Sequence, residues 1–131
     1  WWIATSGDDG PHSVPVWGVV IEQTLYFYGQ PDGVRTRNLH VDPRMVAHLE
    51  SGEDVLILHG DSITADRKID DADIVSSYAA KYDSPSDREY LPGQASMAEV
   101  LLFQIDPRRA IAWEVKAPDK WVNRRWQVEA S

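Results

Sequence analysis

Two arginines, Arg35 and Arg37, follow the turn Gly29-Gln30-Pro31-Asp32-Gly33 and fall in the first turns of a short helix that continues through Leu39. The start of a helix already carries roughly half a positive elementary charge and unpaired backbone N–H groups, so a cation there costs about 0.3–1 kcal/mol unless an anion binds. A phosphate suits such a site, with Arg35, Arg37 and the N–H groups around Thr36 as donors. The plainer alternative has Asp32 capping the helix while both arginines point to water. Residues two apart do not share a helix face, so both arginines reach one anion only if it lies at the helix end.

Other chemistry is sparse. The chain has no cysteine, which removes thiol catalysis, disulfides and Cys-ligated zinc and fits a reducing cytoplasm. No Gly-x-Ser-x-Gly elbow, Walker loop or dinucleotide fingerprint occurs. His12, His40, His48 and His59 lack zinc spacing; His48 and His59 fall on neighbouring predicted strands, where ordinary hydrogen-bonded histidines are expected and no metal site is. Asp70, Asp71 and Asp73 lack the glycine and terminal glutamate of a calcium loop and read as acids that complement a helix dipole. No catalytic acid or base is assigned. The net charge is −8, from 21 acidic and 13 basic side chains, which argues against a nucleic-acid partner and makes any anion site local. No apolar run approaches the roughly 18–20 residues that span a bilayer, so no membrane partner is expected.

The elements that must position the arginines are mostly strands. Residues 1–131 are read as one domain, with native residues expected upstream of Trp1 because no methionine opens the chain. Trp1 to Thr5 reads as a strand, Ser6 to Pro11 as a turn, and His12 to Ile21 as a second strand. Pro15 and Gly18 mark that second strand as an edge, a bulge or a place of close approach. Glu22-Gln23-Thr24 turns the chain into a third strand, Leu25 to Tyr28. After the arginine helix, Asp42-Pro43 is a boundary. Met45 to Leu49 and Val55 to Gly60, extending toward Thr64, are the next strands. The period then changes: Ile69, Ile74, Val75, Tyr78, Ala79 and Tyr82 predict one amphipathic helix over Asp66 to Tyr82. Asp83 to Gln94 reads as a mobile surface loop bordering the pocket mouth. Val100 to Ile105 is a strand, Asp106 to Arg109 a turn and Ala110 to Val115 a strand, with a loop over Ala117 to Lys120 and a last strand from Trp121 to Val128. The pattern predicts a mainly β, α+β architecture: an antiparallel barrel that manages its edges by closure or by pairing with another subunit.

The order of several segments carries a resemblance. Pro11-His12-Ser13-Val14-Pro15-Val16-Trp17-Gly18, Leu25-Tyr26-Phe27, Arg35-Thr36-Arg37-Asn38-Leu39, Asp42-Pro43-Arg44 and His48-Leu49-Glu50 follow one another along the chain. With Ala112-Trp113-Glu114 and Arg124-Arg125-Trp126 they resemble the pyridoxamine 5′-phosphate oxidase-like split β-barrel flavoproteins, and among these the actinobacterial branch that includes coenzyme F420-dependent reductases. The resemblance implies an antiparallel split β-barrel with a short helix after the third strand and one longer amphipathic helix. It implies a homodimer with two sites at its interface, holding FMN or F420, and an oxidoreductase that moves a hydride to or from a small organic substrate. The cofactor phosphate would meet Arg35, Thr36 and Arg37, and its ring would lie along Pro15, Val16, Trp17 and Gly18, whose backbone groups would bond its polar edge. Arg35 stands where a lysine is common, and Gly33 where a polar or basic side chain is usual. A non-catalytic cofactor carrier and a cofactor-free interaction barrel are the alternatives. Trp17 and the C-terminal tryptophans Trp113, Trp121 and Trp126 can serve a pocket, a core or a dimer interface.

Overall fold

The computed structural model describes residues 1–117 and 120–127, with side chains as far as Glu114. The chain forms an antiparallel split β-barrel. Its strands are β1 (Trp2–Gly7), β2 (Gly10–Pro15), β3 (Gly18–Ile21), β4 (Thr24–Gly29), β5 (Arg44–His48), β6 (Asp54–Thr64), β7 (Leu101–Ala117) and β8 (Lys120–Gln127). They lie in the order β2-β1-β5-β6-β7-β4-β3, and β8 pairs the far half of β7. Helix α1 (Val34–Val41) follows β4, and α2 (Ala72–Lys81) lies between β6 and β7. No described helix is long and apolar enough to cross a membrane.

The expected single strand over His12 to Ile21 is two strands on opposite edges of the sheet. Pro15, which has no N–H to donate, ends β2 opposite Trp2, and Gly18 begins β3 opposite Phe27. Val16 and Trp17 cross between them, anchored where the Val16 N–H donates to the Trp1 carbonyl at 2.7 Å. The split in the barrel therefore falls at the proline and glycine that made this segment unusual. Glu22 and Gln23 both take positive φ, 50° and 68°, which gives the β3–β4 hairpin the backbone twist of a two-residue turn.

Asp106 to Arg109 is not a turn. β7 runs through it, and the extra residue is absorbed in a bulge opposite His59 and Gly60. Gly60 permits this: a Cβ there would lie 2.1 Å from the Asp106 carbonyl oxygen. β6 does reach Thr64. His48 and His59 are not cross-strand partners, since His48 faces Ile57 and His59 faces Val46. His48 stacks on Trp2, and His59 lies against Arg109. Among the described residues no cluster of metal-ligating side chains occurs.

The amphipathic helix begins six residues later than its pattern predicts. Asp71 is the cap, accepting from the N–H groups of Asp73 and Ile74, so the aspartate cluster sits where a helix dipole favours it. The expected loop over Asp83 to Gln94 contains a 3-10 turn at Pro85–Tyr90, and a second follows at Ala95–Met97. Of the C-terminal expectations, Pro118, Asp119 and Val128 lie outside the described residues, as do the side chains of Trp121 and Trp126.

Two apolar clusters hold these elements. Ile3, Leu25, Phe27, Leu39, Met45, Ala47, Phe103 and Ile105 fill the barrel and seat α1. Ile74 and Tyr78, both fully buried, press α2 onto Val19, Tyr26 and Leu102. Burying such a side chain contributes about 1.5–3 kcal/mol, enough to fix a ten-residue helix that would not persist alone. The Tyr78 hydroxyl also donates to the Trp17 carbonyl at 3.0 Å, which ties α2 to the crossing segment.

Candidate functional site

Helix α1 follows β4 after the turn Gln30-Pro31-Asp32-Gly33, and its first turn is set by side chains that face inward. Gly33 occupies the cap position with no side-chain cap bond, so Asp32 does not cap the helix. Thr36, 1% exposed, donates its hydroxyl to the Gln30 carbonyl at 2.6 Å. Its side chain holds the turn and lines neither the cleft beside Arg35 nor the cavity beside Arg37. Arg35 folds back over β4: Nη2 donates to the Tyr28 carbonyl at 2.7 Å, and the guanidinium lies 5.7 Å from the centre of the Phe27 ring. Gly29 makes room, because a Cβ there would lie 3.0 Å from Arg35 Nη2.

Arg35 reaches a cleft of about 360 Å³ whose walls include Trp1, Pro15, Val16, Trp17, Tyr28 and Tyr90, with Glu50 also lining it. Trp17 stacks on Tyr82 at 4.3 Å and meets Tyr90 edge-on at 6.3 Å, so the wall is a packed aromatic layer rather than a loose side chain. Tyr90 arrives on the 3-10 turn at Pro85–Tyr90, held where the Tyr28 hydroxyl donates to its carbonyl at 3.1 Å. Burial pushes the Tyr28 phenol up to about 12, with the nearby Tyr82 adding to the rise and Arg35 opposing it.

The electrostatics of the cleft centre on Arg35. Burial pushes its guanidinium below the ordinary arginine value, yet it remains a cation at neutral pH. It forms no ion pair among the described residues, and its Nε is buried without a hydrogen-bond partner. A buried donor left in this state costs about 1–3 kcal/mol, more when it is charged. The donor set and the aromatic walls thus fit a planar ring carrying an acidic group.

The structure brings Arg35, Pro15, Val16 and Trp17 to one cleft and leaves Arg37 and Gly18 out of it. Arg37 points away, donates to the Asp32 carbonyl, and lines a separate cavity of about 470 Å³ with Asp8, Asp9, His12 and Asn38. Gly18 lies under α2 instead: its N–H donates to the Tyr82 hydroxyl at 2.9 Å, and its carbonyl accepts from Lys81 Nζ at 2.6 Å. Trp1, Trp2, Tyr28, Glu50 and Tyr90 are the cleft residues that sequence reasoning missed. Tyr28 was legible only as a strand residue next to the arginine turn, and Tyr90 only as a member of a segment expected to border the pocket mouth.

No protein-family model matches the chain, and no curated protein does. Solved structures are similar to it in fold. A conserved hypothetical protein of Mycobacterium tuberculosis superposes with a TM-score of 0.72 at 21% identity, over 92% of this chain and 82% of that one. A Listeria innocua protein provisionally named a pyridoxamine 5′-phosphate oxidase gives 0.60 at 15% identity, over 85% of each chain. PhzG of Burkholderia lata, solved in complex with tetrahydrophenazine-1-carboxylic acid, gives 0.56 at 13% identity, over 96% of this chain and 80% of that one. At these identities the likeness is one of fold, a split barrel shared with pyridoxamine 5′-phosphate oxidase-like proteins.

Proposed function

We propose that the chain is an oxidoreductase that binds FMN or coenzyme F420 in the Arg35 cleft and transfers a hydride to or from a small organic substrate. The observation that carries this reading is the partly buried Arg35 guanidinium, which has no ion-pair partner among the described residues and lines an aromatic-walled cleft. A bound flavin or deazaflavin supplies the hydride chemistry, so the protein needs to contribute position and electrostatics. Arg35 holds the acidic group. Pro15, Val16 and Trp17 flank the ring, and Tyr90 shields it from water. Two similar folds support the reading by their own ligands and names: the provisional pyridoxamine 5′-phosphate oxidase, and PhzG with its cyclic carboxylic acid.

The site is proposed to be completed in a homodimer, because β2 and β3 leave two open sheet edges beside the cleft. A carrier without turnover would use the same cleft. The visible spectrum of the purified protein, with the mass of any released ligand, tests cofactor binding; a yellow ligand with the mass of FMN or F420 is expected, and a colourless protein that takes up neither cofactor refutes the reading. Turnover of reduced cofactor with a panel of small acceptors then separates enzyme from carrier.

A further inference from the structure

A second cavity is larger than the Arg35 cleft. It holds about 600 Å³ and shares no lining residue with that cleft. His40, near the end of α1, lines it, whereas Arg35 lies at the helix start. Its floor is the beginning of β7, with Leu101, Leu102 and Phe103, joined by the buried Met97 and Val100. Two connections arch over this floor, residues 65–70 leaving β6 and residues 93–98 approaching β7. The second satisfies its backbone locally, Met97 N–H to the Gln94 carbonyl at 3.0 Å and Val100 N–H to the Met97 carbonyl at 3.4 Å. Its turn is thus held locally while Met97 faces the cavity.

We propose that this cavity is a second binding site, for a small molecule with an apolar body and one anionic head. Its volume lies within the ~300–1,000 Å³ of small-molecule sites, and its lining joins an apolar floor to the polar side chains His40, Thr64, Arg67, Lys68, Asp70 and Gln94. The polar groups select the head. Arg67 is already engaged by Asp71, Asp73 and Glu22. Lys68 and His40 also line the cavity, are exposed, and form no side-chain hydrogen bond or ion pair among the described residues. Asp70 lines it too and offsets one positive charge, so Lys68 offers a single point of contact, which suits one carboxylate or sulfonate rather than a phosphate. The site does not depend on cofactor binding at Arg35.

The chain has two methionines, and they report separately: Met97 lines this cavity, and Met45 lies in the barrel core. In protein labelled with 13C at the methionine methyls, with signals assigned by Met97→Leu, titration with 8-anilinonaphthalene-1-sulfonate should shift the Met97 signal saturably and leave Met45 in place. Ala98→Trp, which fills the cavity, should abolish the shift, and Ala95→Trp serves if that variant fails to fold. Lys68→Glu should weaken the sulfonate by about fivefold, the scale of an exposed ion pair, without changing binding of the neutral N-phenyl-1-naphthylamine. Persistence of the Met97 shift in a folded cavity-filling variant, movement of Met45 alone, no movement at ~1 mM probe, or an unchanged sulfonate affinity in Lys68→Glu would each overturn the proposal. Loss of cofactor binding in Arg35→Ala with the Met97 shift intact would leave it standing, so the two sites fail separately.

Discussion

At the scale of single residues, what matters is that Arg35 and Arg37 do different things. Their spacing was legible, and so was the geometric demand it made; which arginine turns inward was not, because that is decided by Gly29, Phe27 and the Tyr28 carbonyl across the turn. Arg37, exposed and facing the β1–β2 hairpin, is expected to leave cofactor affinity within about threefold when changed to alanine, since an exposed charge at a distance contributes roughly 0–1 kcal/mol. Fluorescence titration at matched salt measures this. A tenfold loss would mean that both arginines hold the ligand. Gly60 is the residue whose role the sequence hid completely, since only the bulge shows that a Cβ would strike the Asp106 carbonyl. Gly60→Ala should destabilise the chain by about 1–3 kcal/mol, the usual cost of overpacking, read as a fall in Tm of several degrees, whereas an unchanged Tm would mean the bulge is not fixed.

At the scale of elements, strand existence was readable from composition, and strand continuity was not. Pro15 and Gly18 flagged His12 to Ile21 as irregular, but whether a strand bends or breaks depends on partners, here Trp2 and Phe27 on opposite edges. The reverse error occurred at Asp106-Pro107, where a turn signal lies inside a strand because β6 pairs with it on both sides of one extra residue. The late start of α2 has a local cause that pattern alone misses, the Asp71 cap. The layer of tyrosines between α2 and the cleft gives an alkaline signature. Tyr28, held up to about 12 in the fold against 10.0 as its ordinary value, keeps its proton when the unfolded chain has lost it. Its contribution to stability is therefore fully present below about pH 10 and is lost as pH rises toward about 12. Absorbance at 295 nm should show that Tyr28 and Tyr78, both raised by burial first, resist titration at about pH 11 until the fold opens. Simple titration of all five tyrosines near pH 10 would contradict that packing.

At the scale of the whole molecule, the barrel class was legible from hairpin-linked strands, and its split was legible only through the resemblance. The edge strands β2 and β3 are joined through Val16 and Trp17, so a surface open to strand pairing is also the wall of the cleft. A homodimer that covers this region over more than about 1,000 Å² is expected; sedimentation velocity at micromolar concentration should give a dimer, and a lone monomer boundary would contradict it. The net charge of −8 repels anionic ligands from most of the surface, so the proposed binding of a phosphorylated cofactor rests on Arg35. The most direct test is titration of FMN and of F420 into the parent chain and into Arg35→Ala, followed by cofactor fluorescence at matched salt. The parent should bind at least one of the two saturably, and Arg35→Ala should weaken it ten- to a hundredfold, as loss of a charge-assisted bond of about 1.5–3 kcal/mol requires. Equal binding by the two chains, or binding of neither cofactor by the parent, would contradict the assignment of the cleft.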